Sequence, residues 1–208
     1  MKITAGTDRF AELAEACARL YELPGSDLAV CARSAARCAR ELNPDAATAL
    51  EEMATECEAL GAAVVEELFV RTFELQPSCS PYAGPHLFGE EGFQRGRMLA
   101  GLREGFERHG FDAGRELPDH VAVLMRFAAR LDPSERAELC DWCLARPLTA
   151  MDQQLGSGTN PYRHLARATR LVFVPDGVPA RVTEVLSRAA PAQTDGGCGG
   201  VFKEGEES

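Results

Sequence analysis

Cys140-Asp141-Trp142-Cys143 is the first arrangement in this chain whose residue types and spacing could do chemistry. A Cys-x-x-Cys pair serves redox exchange when a helix N-terminus lowers the pKa of its first thiol. It serves zinc when two further Cys or His ligands stand at suitable spacing. Neither condition is met, because the pair falls in the middle of a predicted helix and no second Cys-x-x-Cys or close Cys/His pair exists. Cys198 lies alone in Gly196-Gly197-Cys198-Gly199-Gly200. The histidines at 86, 109, 120 and 164 do not pair at helical spacing, and no serine sits in a Gly-x-Ser-x-Gly elbow. Gly156-Ser157-Gly158 lacks the Lys-Ser/Thr of a phosphate cradle. No catalytic set, metal site or cofactor is expected.

The chemistry that remains is that of binding. Pro81-Tyr82-Ala83-Gly84-Pro85-His86-Leu87-Phe88-Gly89-Glu90 gathers aromatic, apolar and turn residues. Pro77, Pro81 and Pro85 stand four apart and predict that no ordinary helix forms there. An aromatic-rich loop either folds back on the core or receives something. Fewer than forty residues later Glu116-Leu117-Pro118-Asp119-His120 puts carboxylates and an imidazole at a predicted helix start. That is a place for a cap, with Asp119 in the first turn, or for a ligand.

The elements that must position these residues are helices. Apolar stripes run through Phe10, Leu13, Cys17 and Leu20, then through Leu28, Cys31, Ala35, Cys38 and Leu42. Pro44 suits the first position of a third helix, which carries Leu50, Met53, Cys57, Leu60, Val64 and Leu68 towards Phe73 with a bend at Gly61. A further helix from near Gly89 to Gly110 turns Phe93, Leu99, Leu102 and Phe106 inward, and Pro118 opens the next. Asp132-Pro133-Ser134-Glu135 reads as an N-cap, a first-turn proline and a capping-box glutamate, starting a helix that breaks at Pro147. Asn160-Pro161 starts the last one. The expected fold class is all-α, a single helical-bundle domain over residues 1–175, in one piece or as two lobes joined by the Pro-rich stretch. Residues 176–208 read as a disordered acidic tail containing Gly.

Composition narrows the partners. A net charge of −10 disfavours nucleic acid, whose phosphates repel it. No run long and apolar enough to enter a membrane occurs, and the polar start Met1-Lys2-Ile3-Thr4 lacks a signal-peptide core, so a cytoplasmic protein is expected. Most of the eight cysteines sit at helix-face positions and read as reduced core thiols.

Phe73-Glu74-Leu75 with Pro77, then Tyr82, His86-Leu87-Phe88-Gly89-Glu90, Arg95-Gly96, Met98, Leu102, Gly110 and Glu116-Leu117-Pro118-Asp119-His120 form an ordered series. It closely resembles the assembly chaperones of molybdenum enzymes, the nitrate-reductase delta-subunit (NarJ-like) and TorD group. The resemblance is carried by residues 68–131, and helical phasing extends it over about residues 8–172. It implies an all-helical protein without catalytic activity. Such a protein binds the N-terminal or twin-arginine-type segment of a molybdopterin-containing catalytic subunit and holds it for cofactor insertion before docking or export. The family's Glu-Pro-x-Asp-His motif falls on Glu116, Asp119 and His120, with the proline displaced to Pro118. The client-binding residues expected on this basis are Tyr82, His86, Leu87, Phe88, Glu116, Pro118, Asp119 and His120. Tyr82, Leu87 and Phe88 would give apolar contact, Glu116 and Asp119 would meet positive charge, and Arg95 and Arg97 could brace the motif. The chaperone would act as a monomer or homodimer. The competing reading is a helical adaptor or a redox- or metal-responsive regulator using Cys140 and Cys143.

Overall fold

The computed structural model describes residues 9–89, 92–156 and 158–174. The tail expected over 176–208 and the thiol of Cys198 lie outside the described residues. Helices α1 (Arg9–Arg19), α2 (Leu28–Ala39) and α3 (Pro44–Leu60) come first. Helix α4 (Ala62–Phe69) and a π-helical turn (Val70–Glu74) follow. Then come α5 (Ala83–Phe88), α6 (Gly92–Arg108), α7 (Val121–Ala128) and α8 (Pro133–Leu139). A second π turn (Cys140–Leu144), α9 (Ala145–Gly156) and α10 (Tyr162–Phe173) complete the described chain. The fold is all-α, with no strand among the described residues.

Helix α7 is buried over almost its whole length. Val121, Ala122, Val123, Leu124, Met125, Phe127 and Ala128 are all buried, the pattern of a helix surrounded on every side. Helix α1 packs along it. Helices α2 and α3 form a tight hairpin, and α10 lies against both α3 and α9. Both helices bury runs of small side chains, Ala32, Ala35, Ala36 and Ala39 on one and Ala46, Ala47, Ala49 and Ala54 on the other. Small side chains let two axes approach. The buried apolar side chains form one cluster running from Leu13 to Val174.

Pro44, Asp132 and Asn160 mark helix starts as expected, whereas the Glu135 carboxylate closes no capping box and meets His109 Nε2 at 3.2 Å. Asn43 Oδ1 accepts the Ala46 N–H at 3.0 Å with Pro44 in the first turn, and its Nδ2 donates to the Leu171 carbonyl at 3.1 Å, tying α3 to the end of α10. Asp132 Oδ1 accepts from Ser134 and Glu135, both at 2.9 Å. Asn160 Oδ1 accepts from Tyr162 at 3.0 Å while its Nδ2 donates to Thr72 Oγ1 at 2.7 Å.

Five expectations are corrected. Gly61 does not bend a helix but ends one, at φ 81°, a left-handed value that glycine adopts freely. Residues 83–88 do form a short helix, because Pro85 occupies its first turn, where no intrahelical N–H is required. Phe93 is 77% exposed instead of inward, since it lies on the outer face of α6. Helix α7 starts at Val121 and not at Pro118, which sits in the preceding turn. Finally, Pro147 does not break its helix. The π turn just before it adds a residue to the turn and resets the register, with the Ala145 N–H donating to the Cys140 carbonyl, so Pro147 falls in the opening turn of α9.

Candidate functional site

Two proline-broken segments, far apart in sequence, meet edge to edge. The Ala83 N–H donates to the Asp119 carbonyl at 2.8 Å and the Val121 N–H to the Pro81 carbonyl at 2.9 Å, an isolated antiparallel bridge between Tyr82 and His120. Both residues are extended, Tyr82 at φ −101°, ψ 137° and His120 at φ −67°, ψ 132°. Their flanking backbone groups are out of reach of any helix ladder, and buried backbone polar groups must find partners. Each segment supplies them for the other.

Asp119 is the centre of this junction and is fully buried. Its Oδ2 accepts the Gly84 N–H at 3.1 Å and Arg95 Nε at 2.9 Å, while Oδ1 accepts Arg95 Nη2 at 3.2 Å. The paired fork holds the start of α6 against the bridge. Gly84 is needed here, because a Cβ at that position would lie 2.7 Å from Cγ, Cδ and Nε of Arg95. The guanidinium carbon of Arg95 stands 5.6 Å from the centre of the Tyr82 ring. Tyr82 in turn donates its hydroxyl to Glu116 Oε1 at 3.0 Å and meets the His120 ring edge-on at 5.1 Å. Burial, then the bond to Glu116, pushes the Tyr82 phenol up to about 12, so it remains a donor.

His120 is the N-cap of α7, its Nδ1 accepting the Ala122 N–H at 3.2 Å. That bond requires an unprotonated Nδ1 and places the single proton on Nε2. Burial lowers the imidazole pKa, against the opposing pull of Glu116 and Asp119 and with Arg126 adding to the depression. The opposite case is His109, whose pKa is raised by the Gly105 carbonyl and by Glu135. Nuclear magnetic resonance titration is expected to give a midpoint for His120 below the ordinary value of about 6.5 and one for His109 above it. The stability linkage has opposite signs. The contribution of His120 is intact above about pH 6.5 and is lost as pH falls towards its folded pKa; that of His109 is complete below about pH 6.5 and is lost as pH rises through its folded pKa. A His120 midpoint at or above the ordinary value would remove the buried cap.

Beside this junction opens a cleft of about 450 Å³. Its floor is aromatic, from Tyr21, Phe69 and Phe73, whose rings pack edge to face with Phe73 centred 5.7 Å from Tyr21 and 5.3 Å from Phe69. One wall is Tyr82, Glu116, His120, Val123 and Arg126. Glu22, Leu23, Glu74 and Arg115 also line it. Leu23 is 59% exposed, and Leu75 and Leu117, next in sequence to Glu74 and Glu116, are 72% and 39% exposed. The cleft is thus apolar at its base with charge and exposed leucine around it, the make-up of a site for an amphipathic segment.

Of the residues predicted from sequence, the cleft unites Tyr82, Glu116 and His120. Pro118 and Asp119 are buried behind it, and the Asp119 carboxylate, expected to meet a client's positive charge, is paired with Arg95. His86, Leu87 and Phe88 do not line the cleft. Leu87 is buried in the core, Phe88 packs against it, and His86 Nε2 bonds the Ser80 carbonyl at 2.8 Å. Here the loop folds back on the core. Among the cleft residues that sequence reasoning missed are Tyr21, Leu23, Phe69, Phe73, Glu74 and Arg126. Phe69 and Phe73 carry the i, i+4 spacing of an ordinary core stripe, and nothing local marks them otherwise.

Cys140 and Cys143 sit in the second π turn, and burial pushes both thiols up to about 12. A thiolate is disfavoured at both positions, the reverse of a redox motif. Among the described residues no group of three or more metal-donating side chains forms. Among the described residues, too, no helix is long and apolar enough to cross a membrane.

A family model described as nitrate reductase delta subunit matches residues 39–162, more than half of the chain and all of the Tyr82–His120 junction. No curated protein matches the chain.

Proposed function

From the premise that the chain belongs to the nitrate reductase delta subunit family, whose members are assembly chaperones and not catalysts, we propose that its cleft receives the N-terminal segment of its client. The family places its role in the maturation of a molybdenum-containing enzyme and makes the catalytic subunit its partner. The finer reading is that the chaperone holds this segment in the cytoplasm until the cofactor is inserted, and so delays docking or export.

The observation that carries this reading is the cleft itself, with Phe69 and Phe73 at its base, Leu23 exposed in its lining, and three carboxylates, Glu22, Glu74 and Glu116, against two cations, Arg115 and Arg126. A segment with apolar side chains and a positive charge is the complement of such a surface. His120 adds a hydrogen-bond donor, Nε2–H, where an extended or helical segment offers carbonyls.

Calorimetry with the N-terminal peptide of a molybdoenzyme catalytic subunit from the same organism tests the reading. One-to-one binding at micromolar concentration, weakening as salt is raised, is expected. Absence of binding for the peptide and for the whole catalytic subunit alike would sink it.

A further inference from the structure

Three carboxylates line the cleft, and two of them are already engaged. Glu22 accepts Arg126 Nη2 at 2.6 Å, and the Nε of the same guanidinium is held by Glu15 at 3.0 and 3.1 Å. Glu116 Oε1 accepts both the Tyr82 hydroxyl at 3.0 Å and the Leu117 N–H at 2.8 Å. Glu74 is exposed and makes no ion pair or side-chain hydrogen bond among the described residues.

Its position sharpens the contrast. Glu74 is the last residue of the π turn that ends the α4 helix, where unsatisfied carbonyls make the field negative and a carboxylate is unfavourable. The one basic side chain in that last turn, Arg71, is turned back to Glu67 at 3.4 Å. A second group in the cleft is also unspent. His120 is only 7% exposed, its Nδ1 is committed to Ala122, and its Nε2 has no hydrogen-bond partner among the described residues. His120 lines the cleft, so this unpaired N–H is a donor that a ligand carbonyl can accept from.

We propose that Glu74 is the specificity-determining carboxylate of this cleft, selecting a segment of the partner subunit that carries an arginine or lysine side chain. The inference rests on the peptide-binding reading above. In it, the cation pairs with Glu74, relieving the charge at the helix end. An apolar neighbour on the same segment packs over Phe73, and a segment carbonyl accepts from His120 Nε2. Glu116 keeps its place under Tyr82 and shapes the wall without reading charge.

Binding of the client's N-terminal peptide to the full chain is measured for the wild-type protein, for Glu74→Gln and Glu74→Lys, and for the control Glu67→Gln. Glu67 is exposed on α4 and does not line the cleft. Circular dichroism checks that each variant is folded, which is expected because Glu74 supports no packing. At low salt Glu74→Gln is expected to weaken binding about tenfold, a loss that shrinks as salt screens the pair, while Glu67→Gln binds like wild type. Glu74→Lys is expected to weaken it further, and to bind a peptide with its basic residues changed to glutamate better than wild type does. Equal affinities for wild type and Glu74→Gln at low salt would overturn the inference and leave the cleft reading standing. No binding by the wild-type protein would overturn both.

Discussion

Asp119→Ala is expected to lower the unfolding free energy by about 3 kcal/mol, the low end of the range for removing one member of a buried ion pair. For a chain of this size that corresponds to a fall of roughly 6–12 °C in the melting temperature. The substitution strands two donors, the Arg95 guanidinium and the Gly84 N–H, where Asp119 is fully buried. Arg95 retains 31% side-chain exposure and can swing partly into water, which is why the low end is expected. A double-mutant cycle with Arg95→Ala checks the mechanism, with a coupling of about 1–3 kcal/mol expected between the two sites. Thermal melts showing less than about 1 kcal/mol for Asp119→Ala would return the residue to the surface and to the client. A loss of client maturation in this variant is therefore a loss of fold first. Asp119 acts on the cleft by fixing the bridge on which Tyr82 and His120 are mounted.

Phe73→Ala is expected to cost about 3–5 kcal/mol, as deletion of a buried aromatic ring generally does. Phe73 is 4% exposed and packs edge to face with Tyr21, Phe69 and Tyr162, the last at 5.3 Å, so three rings border the space it would vacate. Phe73→Leu retains most of the volume and is expected to cost less than about 1.5 kcal/mol. Denaturant unfolding of the two variants separates loss of core from change of surface. Because the same ring is both core and cleft floor, Phe73→Leu is the variant in which client affinity can be read on an intact fold. A cost for Phe73→Ala below about 1 kcal/mol would mean that the ring faces solvent and that the cleft has no aromatic floor.

What is local was legible. The helical class, the cap at Asp132 and the first-turn prolines at Pro44 and Pro133 depend on residues within one turn of each other, and the structure places them so. Local reading misled where a compensating neighbour was needed. Pro147 continues a helix only because a π turn resets the register before it, and Pro85 is tolerated only because it falls in a first turn. The apolar stretch Tyr82–Phe88 reads locally as a surface, yet Leu87 and Phe88 turn to the core and Tyr82 alone of the stretch lines the cleft.

By itself the sequence determined an all-helical chain, several of its helix starts, and the two proline-marked segments around Tyr82 and His120. Only tertiary structure decided that those segments join into one site, that Asp119 braces it from within, and that Phe69, Phe73 and Glu74 share its cleft. The reason is physical. Propensity and capping act across a few residues and leave a mark at fixed spacing. The burial of a carboxylate depends on which distant guanidinium and which extended backbone are packed against it, and no spacing records that.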